Sequence, residues 1–150
     1  MKTVAEVVEF IEADARASGH VRLLHRELPP GFPRSEAPSQ ANMLVQEWGY
    51  NAIASRSWAR LNRKAASEVA RRILSEDLAY KRELMPRKTS EHCAESLTHA
   101  LSPYKAEFLC NAEFQGTSVT WDPIGASAFE VALVGFDEDQ AFLLYAEAED

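Results

Sequence analysis

The chain has 150 residues, of which 46% are hydrophobic and 26% charged, and its formal net charge is −7. This balance is typical of one ordinary globular domain and excludes a disordered chain. The apolar runs are far shorter than the roughly 20 residues that a membrane span requires, and two cysteines are too few for a disulfide framework. The N-terminus becomes acidic at once and has no apolar signal core. We therefore expect a single cytoplasmic domain over residues 1–150, with a helical part at about 1–105 and an acidic β part at about 106–150.

The first third of the sequence predicts one clear helix and one ambiguous segment. Thr3 and Glu6 form a capping box, and residues 4–15 carry apolar side chains at helical spacing. Residues 20–28 fit either a short strand or a second helix. The proline-rich segment 29–38 sustains neither periodicity and is expected to be irregular.

Further helices are predicted in the middle of the chain. Ser39 caps one that Gly49 ends, and a short helical piece is expected over 52–61. Asn62 caps the longest predicted helix, Arg63 to Leu84, in which apolar residues recur every three or four positions. These elements, with those on either side, give four or five helices.

One more helix is expected from about 89 to 103, after which the pattern changes to strands. Residues 107–114 alternate between polar and apolar, and 115–128 contain the glycines and proline of a loop. The apolar runs 129–136 and 141–146 flank a polar turn, which predicts a hairpin. The sequence therefore indicates an α+β fold in which N-terminal helices pack on a small C-terminal antiparallel sheet, a three-stranded meander.

Charge is divided unevenly along the chain. All 16 Lys and Arg residues lie in 1–105, whereas 106–150 contain none. Such asymmetry indicates either a charged partner or ion pairing between the two parts of the molecule. The second segment holds ten acids: Glu107, Glu113, Asp122, Glu130, Asp137, Glu138, Asp139, Glu147, Glu149 and Asp150.

Acids gather at both tips of the predicted hairpin. Carboxylates at strand ends keep a protein soluble and discourage edge pairing, but they also steer a protein onto a basic partner. Interface energy concentrates in a few aromatic contacts, so Trp121 and Tyr145 are candidate anchors. The charged part of the predicted partner-binding surface is Asp137, Glu138, Asp139, Glu147, Glu149 and Asp150.

Catalytic and metal-binding patterns are weak. His92, Glu95 and His99 share one predicted helical face, but the chain has no HExxH or CxxC motif to complete a metal site. Cys93 and Cys110 lie in apolar patterns and are interpreted as small buried side chains. We therefore predict no catalytic residue, no metal and no cofactor. A small hydrolase or transferase that unites His92 or His99 with a carboxylate remains an alternative hypothesis.

A second alternative is a regulatory protein that binds nucleic acid. The region Arg56–Lys88 carries ten basic and four acidic residues. Binding to phosphates usually requires a basic overall balance, because counterion release supplies much of the affinity. The net charge of −7 therefore disfavours direct binding of nucleic acid.

Three stretches together suggest a family: Glu47–Ile53, Ile73–Tyr80 and Phe142–Asp150. In these the chain resembles small bacterial immunity proteins that accompany polymorphic toxins, such as those of Rhs or type VI secretion effectors. The resemblance implies a cytoplasmic inhibitor that binds its cognate toxin by protein–protein contact and blocks the active site or the substrate path. An acidic balance fits inhibitors of basic toxins such as nucleases. These families share no catalytic motif, so the resemblance assigns no residue a role.

Overall fold

The computed structural model describes residues 1–148. Its four helices are α1 (Val4–Ala13), α2 (Ala37–Glu47), α3 (Arg63–Ser75) and α4 (Arg87–His99), with short 3-10 turns at Ala17–Gly19 and Ser55–Ser57. Its seven strands are β1 (Val21–Glu27), β2 (Ala59–Leu61), β3 (Glu107–Cys110), β4 (Ala112–Gln115), β5 (Ser118–Trp121), β6 (Phe129–Phe136) and β7 (Gln140–Ala148). Within residues 1–148, every helix is too short or too polar to span a bilayer.

Five of the strands form one antiparallel sheet in the order β1-β7-β6-β3-β2, and β4 pairs with β5 in a separate hairpin. The α+β class is confirmed. The predicted three-stranded meander is wrong, because β1 and β2 add strands to both edges of the sheet. The helices also do not all precede the sheet, since β1 follows the first helix directly.

The ambiguous segment after α1 is a strand. It pairs with β7 over its whole length, from Val21 opposite Ala146 to Glu27 opposite Gln140. Val21 and Leu23 are buried, which matches the two-residue period of a strand that covers a core with one face. Pairing with a strand more than a hundred residues away therefore decides between the two local possibilities.

Helices cover both faces of the sheet, which explains the nearly continuous burial of β6 and β7. On one face, α1, α3 and α4 supply fully buried side chains such as Ile11, Ile73 and Leu97. On the other face, α2 packs through Leu44 and Val45. Both faces of a central strand are then apolar, as in buried parallel sheets, although every pair here is antiparallel.

The longest predicted helix is shorter than expected. Asn62 caps it as predicted, and its Oδ1 accepts a hydrogen bond from the Ala65 N–H at 2.7 Å. The helix ends at Ser75 and not at Leu84. Asp77 causes the break, because its Oδ1 accepts the N–H groups of Ala79 and Tyr80 and so forms a local turn that competes with the helix.

Other boundaries also differ from the predicted ones. α2 begins at Ala37, two residues before the predicted cap, since Pro38 fits the first turn of a helix. The piece 52–61 is not a helix but a 3-10 turn followed by β2. The segment 107–114 is two strands that Asn111 separates, and β5 lies inside the predicted loop.

Candidate partner-binding surface

The turn between β6 and β7 contains three of the predicted contact residues, but one of them is buried. Asp137 Oδ1 accepts the N–H groups of Asp139 at 2.8 Å and Gln140 at 3.0 Å. Its Oδ2 accepts the N–H of Ser102 at 2.8 Å. The side chain is only 7% exposed. Asp137 therefore stabilises the turn. We expected its carboxylate to be available to a partner, and the structure shows that it is not.

Glu138 and Asp139 are exposed on the outside of the same turn. Glu138 forms an ion pair with Lys105 at 2.8 Å, and this hydrogen bond, together with the negative charge of Glu138, raises the pKa of Lys105. Arg34 donates to the backbone carbonyl oxygens of Asp137 and Glu138. The neighbouring cations are thus committed to the turn itself, and within residues 1–148 Asp139 forms no salt bridge.

An open pocket of about 530 Å³ lies beside this turn. Gln40 on α2 is 1% exposed, and its Oε1 accepts from the Ser35 N–H at 3.1 Å and from Ser35 Oγ at 3.3 Å. Its Nε2 has no hydrogen-bond partner among the described residues. Side chains in the wall of the pocket include Arg34, Ser35, Gln40, Lys105, Glu107 and Asp139. We call this site the turn pocket.

The remaining acidic contact residue in the described part of the chain lies far from the turn. Glu147 is exposed near the other end of β7, where it accepts a hydrogen bond from Ser127 Oγ at 2.6 Å. At about 3.3 Å per strand residue, about 25 Å separates it from Asp139. Glu149 and Asp150 lie outside the described residues. The structure therefore groups Glu138 with Asp139 and places Glu147 on another part of the surface.

Trp121, a predicted anchor, lies in a third place. It is half-buried, with its ring centroid 5.6 Å from that of Phe129. A small pocket of about 340 Å³ beside it is lined by Glu113 and Asp122, both of which are exposed. Trp121 therefore remains at the surface but does not adjoin the turn pocket.

Tyr145, the other predicted anchor, is buried. It is 1% exposed, its ring packs 4.7 Å from that of Tyr50, and its hydroxyl donates to Glu130 Oε1 at 3.2 Å. Burial and then the charge of Glu130 raise the pKa of Tyr145. This side chain belongs to the core, so it is not a surface anchor.

Sequence reasoning did not recognise Glu130 as a buried carboxylate that organises its surroundings. It is fully buried, and its Oε2 accepts from Asn111 Nδ2 at 3.1 Å and the Ile124 N–H at 2.8 Å. Its Oε1 accepts from the Gly125 N–H at 3.0 Å in addition to Tyr145. The available signal was a single glutamate inside the apolar run of β6. Because four donors surround it, the carboxylate fixes the 122–125 loop against the sheet.

Within residues 1–148, no group of three or more His, Cys, Asp or Glu side chains is placed to hold a metal ion. His92 and His99 are exposed on α4, and the Nδ1 of His99 lies 2.9 Å from the carbonyl oxygen of Glu95 one turn earlier. Cys93 and Cys110 are free and buried, as predicted. Burial raises their pKa values to about 11 and about 12, so neither thiol is nucleophilic near neutral pH.

Basic residues of the Arg56–Lys88 region are divided between the Ser55–Ser57 turn, β2, α3, the 76–86 loop and α4. Arg63 donates to the carbonyl oxygens of Thr98 and Ser102. Arg72 donates to the Gly116 carbonyl and lies over the Phe114 ring. These two cations serve internal contacts, but seven of the ten basic residues are exposed, so the nucleic-acid-binding face stays an alternative prediction. The exposed ones are Arg56, Arg60, Lys64, Lys81, Arg82, Arg87 and Lys88.

Comparison of the chain with protein-family models, curated proteins and solved structures finds no match. A proposal for function therefore rests on the charge and geometry of this chain. The features that carry such a proposal are the exposed carboxylates and the turn pocket.

Proposed function

We propose that this protein is a cytoplasmic immunity protein that binds a basic, nuclease-type toxin and inhibits it by covering its active site or substrate path. The observation that carries the proposal is the exposure of the acids in 106–150. Of the eight within the described residues, six are exposed, and only Glu138 forms a salt bridge there. The exposed acids are Glu107, Glu113, Asp122, Glu138, Asp139 and Glu147.

The corrected contact surface is centred on the turn pocket. Glu107, Glu138 and Asp139 surround it, whereas Asp137 and Tyr145 act inside the fold. Exposed carboxylates attract a basic partner over roughly 8 Å at physiological salt and so accelerate encounter. Toxins that cleave nucleic acid need basic surfaces to reach phosphates, so an acidic inhibitor competes for the same surface.

The test is association kinetics with the product of the gene directly upstream of this protein's gene, where we expect the toxin to be encoded. In the double variant Glu138→Gln/Asp139→Asn two charges are removed without touching the hydrogen bonds of Asp137. We expect association at low salt to slow by about threefold to tenfold, and the difference to shrink at high salt. Surface plasmon resonance over a salt series measures both effects.

A matched control removes the same amount of charge from α1, at positions that do not line the turn pocket. Glu9 and Glu12 are exposed on α1, and Glu9→Gln/Glu12→Gln is expected to leave the association rate near that of the unmodified protein. Equal rates for the two double variants at low salt would remove the turn surface from the proposal. Failure of the upstream product to bind or to be inhibited would remove the function itself.

A further inference from the structure

Within residues 1–148, β5 has a paired strand on one side only. That strand is β4, and a two-stranded sheet by itself is only marginally stable in water. The far side of β4 borders a groove that α3 and β2 wall. Along β5, Ser118 and Thr120 are exposed, and Val119 and Trp121 are half-buried. The second side of β5 is therefore a free strand edge.

The hydrogen-bond ladder of the hairpin shows which backbone groups point to this edge. The Asp122 N–H donates to the Asn111 carbonyl oxygen at 3.0 Å, which continues the ladder between β5 and β4. Because alternate residues of an antiparallel strand face its partner, Thr120 also points to β4, and the backbone groups of Val119 and Trp121 point outward. Among the described residues these outward N–H and carbonyl groups have no backbone partner.

The sequence of β5 lacks the features that keep strand edges from pairing. Exposed edges in natural proteins carry charged residues or proline, or they are very short. The edges of the five-stranded sheet follow this rule, since β1 contains Arg22 and Arg26, and β2 has three residues with Arg60 at its centre. β5 reads Ser-Val-Thr-Trp, and its valine, threonine and tryptophan are residue types that favour strands. This edge is therefore suited to accept a further strand.

The order of side chains along β5 fits a second copy of the same strand. Antiparallel pairing about a two-fold axis at Thr120 sets Val119 opposite Trp121 of the second copy, so the outward backbone groups of both residues exchange hydrogen bonds. Thr120 then meets its own copy, and threonine pairs are favourable across strands. Ser118 lies opposite Asp122, whose carboxylate can accept from the serine hydroxyl. This register brings no two like charges directly opposite each other.

We infer that this protein forms a two-fold symmetric homodimer in which the β5 edges pair and join the two hairpins into one antiparallel sheet. Self-pairing of the other edges is disfavoured, because it would set Arg22 against Arg26 in β1 and Arg60 against its own copy in β2. One short strand pair buries less than the roughly 1,000 Å² of a stable complex, so association is expected to be weak. The residues of β5 do not line the turn pocket, so the inference does not depend on the proposed function.

Sedimentation equilibrium of the full chain at physiological salt tests the inference. We expect the weight-average mass to rise from 16.8 kDa towards twice that value as the concentration increases from about 10 µM to about 1 mM. Amide hydrogen exchange then identifies the interface. The N–H groups of Val119 and Trp121 should exchange about twofold or more slowly at the higher concentration, whereas Thr120, which already faces β4, should change less.

Position 118 offers two variants with opposite expected effects. Ser118 is exposed and lies opposite Gln115 on β4, so a charge there meets no like charge across the hairpin of the monomer. In the dimer, Ser118→Asp faces the carboxylate of Asp122 and should raise the dissociation constant by about threefold to tenfold, whereas Ser118→Lys should lower it by a similar factor. Ser39→Asp and Ser39→Lys make the same charge changes at an exposed position of α2 and should shift it by less than about twofold.

A mass that stays at the monomer value over the whole concentration range would overturn the inference. A dimer in which the amides of Val119 and Trp121 remain unprotected would overturn it as well, and so would shifts of the same sign for Ser118→Asp and Ser118→Lys beyond those of the Ser39 controls. Val119→Pro removes an outward donor that the hairpin does not use, so it should abolish dimerisation. If that variant unfolds, the two Ser118 variants decide the question.

Discussion

The buried Glu130 cluster allows the sharpest stability prediction. All four acceptor positions of its carboxylate are used, by Asn111, Ile124, Gly125 and Tyr145. Asn111 Nδ2 and the two backbone N–H groups can only donate to this carboxylate. Glu130→Gln keeps the shape of the side chain but replaces one acceptor oxygen with a donor NH₂ group.

The least costly position for that NH₂ group is the one now held by Oε1. There the Tyr145 hydroxyl can rotate to accept, but the Gly125 N–H is left facing another donor. One unsatisfied backbone N–H costs about 1–3 kcal/mol, and the bonds to Oε2 lose the strength that the charge adds. Because glutamine is neutral, the variant does not pay the cost of burying a charge, and this offsets part of the loss. We expect the free energy of unfolding to fall by about 2–4 kcal/mol.

Urea unfolding followed by circular dichroism measures this change. The matched control is Glu147→Gln, since Glu147 lies directly opposite Glu130 on β7 and is exposed. The free energy of unfolding of this control is expected to change by no more than about 0.5 kcal/mol. If Glu130→Gln were as stable as the control, the reasoning from the four donors around Glu130 would be refuted.

Three further predictions concern the cysteines and the glycines. Burial raises the pKa of Cys93 to about 11 and that of Cys110 to about 12, so a disulfide reagent at pH 8 should modify both thiols only after urea unfolding. Because the native chain keeps protons that the unfolded chain releases, the free energy of unfolding should fall as the pH rises above 9.0; a rise in the urea midpoint would contradict this. A Cβ at Gly135 would lie 2.4 Å from the Phe142 ring, so Gly135→Ala should lower the free energy of unfolding by about 1–3 kcal/mol. Gly31→Ala meets no atom within 4 Å and should change it by less than about 1 kcal/mol, so equal urea midpoints for the two variants would disprove the packing argument.

Local signals in the sequence predicted several elements well. The hairpin of β6 and β7 follows its two apolar runs and polar turn closely. Asn62 caps α3 as expected, and Gly49 follows the end of α2 with a φ of +91°, a conformation that glycine adopts without strain. Each of these features depends on neighbours within a few residues, which a sequence displays directly.

Predictions that depended on distant neighbours were less successful. In Arg63–Leu84 the apolar residues keep their helical spacing beyond Ser75, and Leu78 and Leu84 are indeed buried. These two side chains, however, reach the core from a loop and not from a helix. The predictions for the candidate contact residues also succeeded in part and failed in part. Glu138 and Asp139 are exposed as expected. Asp137 instead accepts a hydrogen bond from Ser102 inside the fold, and the buried Tyr145 donates one to Glu130.

The sequence by itself determined the α+β class, the caps of α1 and α3 at Thr3 and Asn62, the acidic hairpin and the absence of basic residues after position 105, because each is a property of composition or short-range order. Only the tertiary structure decided which carboxylates face solvent and which face backbone donors. It also brought Gln40 of α2 beside the turn, nearly a hundred residues later in the chain. Burial and hydrogen-bond partnership arise from contacts between distant segments, so the free donor and the free charges become visible only after the chain has folded.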